Sequence, residues 1–243
     1  MRKIQIVFLF MLAISFSKAQ VLINEYSAAN FDSYLDNYNE YEDWIELYNS
    51  SSNSVDLNGW YLSDRVSNVM KWRFTSSFII PANGTAVIFC SSRDEIIGNN
   101  AHTNFKLTQT KNNEKIILSD PAGSIIDSVD LVPNLNSHSR GRESNGSINW
   151  SVFTTPTPSA SNFNPLLEYS ERPSFSQSAG YYTGSVTVSI TTNDPNATIY
   201  YTINGDQPTI NSTVYNSPIT LTTTSILKAI SVSSLANVPA SFT

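Results

Sequence analysis

Alternation with a period of two residues constrains this chain more than any other feature. In "SVTVSI" the residues Val186, Val188 and Ile190 recur on one side, and in "ATIYYTI" Ile199, Tyr201 and Ile203 do the same. Runs of this kind, rich in β-branched and aromatic residues, bury one face of a strand and wet the other. Turn-forming stretches separate them: "LNGW" (57–60), "PANGT" (81–85), "SDPAG" (119–123) and "INGDQP" (203–208). Each supplies Gly, Pro, Asn or Asp where the backbone must reverse. Helical periodicity is hard to find. Strands separated by roughly 8–15 residues with such loops predict an all-β chain of two tandem immunoglobulin-like or fibronectin III-like β-sandwiches, not βαβ units.

The first residues stand apart. "MRKIQIVFLFMLAISFSKAQ" begins with Arg2 and Lys3, runs apolar from Ile4 to Phe16, and reaches small residues at Ser17 and Ala19. The apolar run is shorter than the roughly 20 residues that a helix needs to span a bilayer. Residues 1–19 therefore read as a cleaved signal peptide and not as a retained anchor, and no cysteine follows at once to take a lipid. The expected location is secreted, extracellular or at the cell surface, with no membrane span after cleavage.

Cleavage would also remove Arg2, Lys3 and Lys18, taking the net charge from −6 to about −9. An acidic chain is a poor partner for nucleic acid or for anionic membranes. The charge is uneven: Gln20 to Asp64 contains no Lys or Arg against nine acidic residues. Cys90 is the single cysteine, in "AVIFCSS", so no internal disulfide can form. A small core residue is the ordinary role for such a cysteine. Stability must come from hydrophobic cores, and the chain is long enough for two.

A boundary falls in "TTPTPSASNFNPLLEYSERP", which carries four prolines and no alternation, as an extended linker or wrapping segment would. Beyond it, residues 173–243 hold one basic residue (Lys228) and two acidic ones (Asp194, Asp206). The expected division is a first sandwich at 20–162, a linker at 163–172 and a second sandwich at 173–243.

The densest polar cluster is "NEYEDWIELYN" (39–49). On a strand, Ile45 and Leu47 face the core while Trp44, Glu46 and Tyr48 take the other side. Glu25 in "VLINEY" shares a face with Val21 and Ile23. If either glutamate is buried it needs a partner; Arg73, Lys71 or backbone N–H groups of a nearby loop are the candidates. Asp32, Asp36, Glu40, Glu42 and Asp43 sit in or beside a loop-like segment. They are weak calcium candidates, since calcium needs six to eight converging oxygens and the EF-hand spacing is absent. A solvated acidic loop is the alternative. No other metal ligand set and no cofactor site is expected. Arg140 and Arg142 in "SRGR" should pair with the acidic first third of their own domain. His102 and His138 are the only histidines, and no HExxH, GxSxG or phosphate-cradling loop is present. The residues present read as non-enzymatic.

Taken in order, "LINEYSAAN", "DWIELYN", "VDLNGWYLSD", "KWRF", "IIPANGTAVIFC", "TNFKLTQT", "EKIILSDPAGSIIDSVDL", "GRESNGSINW" and "TPTPSASN" resemble a bacterial exported lamin tail domain, over most of 21–162. The resemblance implies an immunoglobulin-like, non-catalytic sandwich in which Trp44, Ile45, Leu47, Trp60 and Leu62 are structural. It also implies a closing Thr-Pro-Gly turn, where this chain has Thr157-Pro158-Ser159; a positive φ there would cost Ser159 about 1 kcal/mol relative to Gly. "GYYTGSVTVSI", "ATIYYTINGDQPT" and "STVYNSPITLTTTSILKAISV" are similar to the β-sandwich at the C-terminus of chitobiases and β-hexosaminidases. That resemblance implies an accessory module, expected to lack its last strand here.

Together these readings predict a non-catalytic binding or spacer segment displayed at the cell surface, contacting polysaccharide or a surface protein. Tyr34, Tyr38, Tyr41, Tyr181 and Tyr182 are the residues able to stack on sugar rings, unless they pack under their own loops. The alternative is the N-terminal accessory region of a larger secreted enzyme, such as a spore-coat-protein-H-like kinase.

Overall fold

A computed structural model describes residues 20–110 and 113–243; the signal-peptide reading of 1–19 lies outside the described residues. Among these the chain is almost wholly β, with a single 3-10 turn at Val66–Asn68. The two larger sheets both lie within residues 21–153. One has seven strands in the order Trp150–Phe153, Ser139–Arg142, Val21–Ser27, Trp44–Asn49, Thr85–Phe89, Asn100–His102 and Glu95–Ile97. All neighbours are antiparallel except Thr85–Phe89 with Asn100–His102. The other sheet orders Ile125–Asp130, Lys115–Ser119, Tyr61–Ser63 and Trp72–Arg73.

The core between these sheets is what alternation dictates. Val21, Ile23, Ile45, Leu47 and Ile88 from the first sheet meet Leu62, Ile116 and Leu118 from the second, all fully buried. Cys90 is buried in the same cluster, where burial pushes its thiol well up and leaves it an inert core residue. Trp72, Phe74 and Phe78 close one end through edge and tilted ring contacts at 4.7 and 5.2 Å.

The strands at 139–142 and 150–153 extend the same sheet as Val21–Ser27 and so belong to the first sandwich. The second module is smaller: Ala197–Thr202 pairs with Lys228–Ser233 and Thr213–Val214, Val186–Val188 with Ile219–Leu221, and Ser174–Phe175 with Ile190–Thr191. Ile190, Ile199 and Ala229 form its core.

Candidate functional site

The strand Trp44–Asn49 sorts its side chains as alternation requires, but both of its faces are covered. Trp44 is fully buried on the outer face with Val87 and Phe89, beneath Tyr34. Glu46, on that face, is fully buried too, and so is Glu25 across from it on Val21–Ser27. Neither reaches Arg73 or Lys71. Lys71 instead grips Asp64 at 2.7 and 2.8 Å. Of the expected partners, the backbone N–H groups are the ones used.

Those N–H groups come from the segment that follows the last strand of the sheet. Glu25 Oε1 accepts the Thr157 N–H at 2.9 Å and the Ser139 hydroxyl at 2.5 Å, and its Oε2 accepts the Thr157 hydroxyl at 2.6 Å. Glu46 Oε2 accepts the Ser159 N–H at 2.7 Å, and Oε1 the Asn24 amide at 2.9 Å. Asn24 lies at a register shift between Ile23 and Glu25, which aims its amide at Glu46, Asn145 and Asn162. Asn162 in turn donates to the Arg142 carbonyl at 2.6 Å. Burial is the main influence on both acids. It raises the Glu25 carboxyl against the bonds from Ser139 and Thr157, and takes Glu46 up to about 8 against the bond from Asn24, with the Glu25 charge adding to the rise.

Gly141 makes room for this network. It stands opposite Glu25 in the sheet, and a Cβ there would come within 3.0 Å of Glu25 Cγ and of Asn162 Nδ2. A glycine inside a strand marks close approach by another group, and "SRGR" was the signal available in the sequence. Ser159 adopts φ 63, the left-handed conformation that its place in the closing turn implied. This buried network fastens one loop across a sheet face; enclosed acids with no open approach do not form a catalytic pair.

The calcium candidates are dispersed. Asp36 folds back on its own turn, Oδ1 accepting the N–H groups of Tyr38 and Glu40 at 2.8 and 2.9 Å. Glu40 pairs with Arg93 and Glu42 with Lys106 at 2.8 Å. Asp32 is exposed at the surface, and its N–H meets the Ser137 hydroxyl. Asp43 is brought up to about 6 by burial, countered by the Asn30 N–H. Among the described residues no three His, Cys, Asp or Glu side chains are grouped as a metal ion would require.

The arginines differ from expectation. Arg140 makes a two-pronged pair with Glu168 at 2.8 Å on each side, and Arg142 pairs with Asp127 at 2.9 Å. Neither bonds to an acid of the first third; Glu25, opposite Gly141 between them in the sheet, is satisfied by neutral donors.

One arrangement has no counterpart in the sequence reading. His102 Nδ1 lies 2.9 Å from the Ser91 hydroxyl and Nε2 lies 2.7 Å from Asn37 Oδ1. If Nε2 carries the proton toward Asn37, Nδ1 accepts from Ser91, which strings hydroxyl, imidazole and amide as an acyl-transfer triad does but with the two ring nitrogens exchanged. His102 is fully buried, however, stacked on Phe89 at 5.3 Å and met by the edge of Tyr38 at 5.6 Å. No substrate carbonyl can reach its ring. The three residues pin the 28–43 loop to the sheet.

The tyrosines divide. Tyr34 stacks on Phe89 at 5.8 Å and bonds to Ser159 through its hydroxyl, so it packs under its own loop. Tyr38 and Tyr41 are partly exposed, with Arg93 lying 4.3 Å over the Tyr38 ring. Tyr181 is fully exposed, and its neighbour Tyr182 is half exposed while its hydroxyl donates to the Ser178 carbonyl at 2.6 Å.

Residues 15–133 match the family model described as Lamin Tail Domain, and residues 177–243 match that of the Chitobiase/beta-hexosaminidase C-terminal domain. The order is the one that the sequence motifs imply. No curated protein matches the chain. The chain thus joins two immunoglobulin-like modules. Among the described residues no helix is long and apolar enough to cross a membrane.

Proposed function

We propose that this chain is an exported, non-catalytic binding segment whose second module engages a neutral polysaccharide through the loop that carries Tyr181 and Tyr182. The observation that carries this reading is the complete exposure of Tyr181 beside the tethered Tyr182. An aromatic ring left in water gives up the apolar burial that it would gain in a core, and its flat face suits a sugar ring. From 173 to 243 the module holds only Asp194, Asp206 and Lys228 as charges, which favours an uncharged ligand. The second family, the Chitobiase/beta-hexosaminidase C-terminal domain, supports carbohydrate as the ligand class. Export rests on the reading of residues 1–19, and the segment would serve equally beside a catalytic domain in a larger secreted protein.

Affinity electrophoresis through gels containing a soluble neutral β-glucan or a glycol chitin tests the proposal. Retardation that is lost in Tyr181→Ala, with the fold unchanged by circular dichroism, is the expected result. Retardation equal in the variant, or none in either gel, would sink the assignment to this loop.

A further inference from the structure

We infer that residues 166–171 are not a spacer but a strap shared by the two modules, which locks them into one rigid body. Tandem sandwiches joined by a Pro-rich segment are ordinarily free to move unless a substantial interface joins them. Here residues of one short segment are claimed by both sides.

Leu166 exchanges both backbone bonds with Val152, at 2.9 and 3.2 Å, adding a bridge to the outer edge of the seven-stranded sheet. The next residue turns to the other module: the Leu167 N–H donates to the Asn237 carbonyl at 2.8 Å. Glu168 returns to the first module through its two bonds with Arg140. Ser170 then goes to the second, with its N–H on the Pro239 carbonyl and its hydroxyl 2.8 Å from that of Ser231. Ser231 also donates to the Glu171 carbonyl.

Tyr169 stands at the centre and touches both sides. Its hydroxyl accepts the Leu135 N–H at 3.1 Å and lies 3.0 Å from His138 Nδ1, while its ring stacks on His138. The edge of Phe242, from the second module, meets the same ring at 4.9 Å. Tyr169 is buried, so this is a packed contact and not a surface touch. An extended segment projects alternate groups to opposite sides. Separating the modules would therefore break either the bonds of Leu166 and Glu168 to the first module or those of Leu167, Ser170 and Glu171 to the second, and would expose the Tyr169 ring.

Residual dipolar couplings measured on the intact chain test the inference without any substitution. A single alignment tensor fitting both modules is expected, together with a scattering profile that one rigid shape reproduces. Two tensors of different magnitude, or scattering that requires a spread of intermodule distances, would overturn it. Tyr169→Ala locates the strap: two tensors and a larger radius of gyration are expected, with both modules still folded. If Tyr169→Ala fails to fold, Glu168→Gln, which keeps the ring, should still broaden the intermodule distribution. A folded Tyr169→Ala chain with one unchanged tensor would remove Tyr169 from the account.

Discussion

Glu46 Oε2 accepts the backbone N–H of Ser159 at 2.7 Å, across 113 residues of sequence. A carboxyl buried in the sheet thereby holds the segment that leaves the first sandwich, and this gives the bond two consequences that experiment can reach.

The first is a dependence of stability on pH. The Glu46 carboxyl is taken to about 8 by burial, from an ordinary 4.5. Between those values the folded chain retains a proton that the unfolded chain has released, so stability falls as pH rises and levels off beyond about 8. Glu25, also raised by burial, acts in the same direction. His102 and His138, lowered by burial from 6.5, act in the opposite direction, an effect that fades within about one pH unit above that value. Urea unfolding between pH 6.5 and 8.5 is therefore dominated by the carboxyls. The expected loss is about 2 kcal/mol, at roughly 1.4 kcal/mol per pH unit, and Glu46→Gln should remove most of the slope. A level profile for the unsubstituted chain would mean that Glu46 is already ionised in the fold.

The second concerns Ser159 itself. Its φ of 63 places a side chain where glycine is favoured by about 1 kcal/mol. Ser159→Gly relieves that strain but loosens the unfolded chain and forfeits the exposed bond to the Tyr34 hydroxyl at 3.0 Å. The net gain should be about 0.5 kcal/mol. Ser159→Val, β-branched at positive φ, should lose more than about 1 kcal/mol. Thermal midpoints that rank the two the other way would show that the hydroxyl bond, and not the backbone, governs this position.

What was legible in the sequence follows from the range of the forces involved. The core face of Trp44–Asn49 could be read because a period of two is local: Ile45 and Leu47 alternate within one strand. The burial of Glu46 and Trp44 could not, since the groups that cover them arrive from distant stretches, Tyr34 from a loop and Ser159 from beyond the last strand of the sheet. The strained turn at Ser159 was readable from the lamin-tail resemblance, which marks it as a glycine position. The Ser91–His102–Asn37 pin was not, because its members come from three separate segments and nothing in their spacing announces it.

Arg142 carries the last prediction. Its Nε donates to the Ile23 carbonyl at 2.8 Å, Nη1 to the Ser147 carbonyl at 2.6 Å and Nη2 to Asp127 at 2.9 Å, while the guanidinium lies 5.4 Å over Trp150. Asp127 Oδ2 also accepts the Ile23 N–H at 2.9 Å, so one ion pair joins the two sheets of the first sandwich. A guanidinium spreads five N–H donors over three nitrogens and so spans three separated acceptors, whereas an ammonium has all three of its donors on one nitrogen. Arg142→Ala leaves Asp127 largely buried without its cation and should cost about 3–5 kcal/mol. Arg142→Lys should recover less than half of that, because one point charge cannot reach both carbonyls and the carboxylate. A double-mutant cycle with Asp127→Asn should return a coupling of about 1–3 kcal/mol. Coupling near zero would assign the loss to the carbonyl bonds and the Trp150 contact, and the bridge between the sheets would then be hydrogen-bonded rather than ionic.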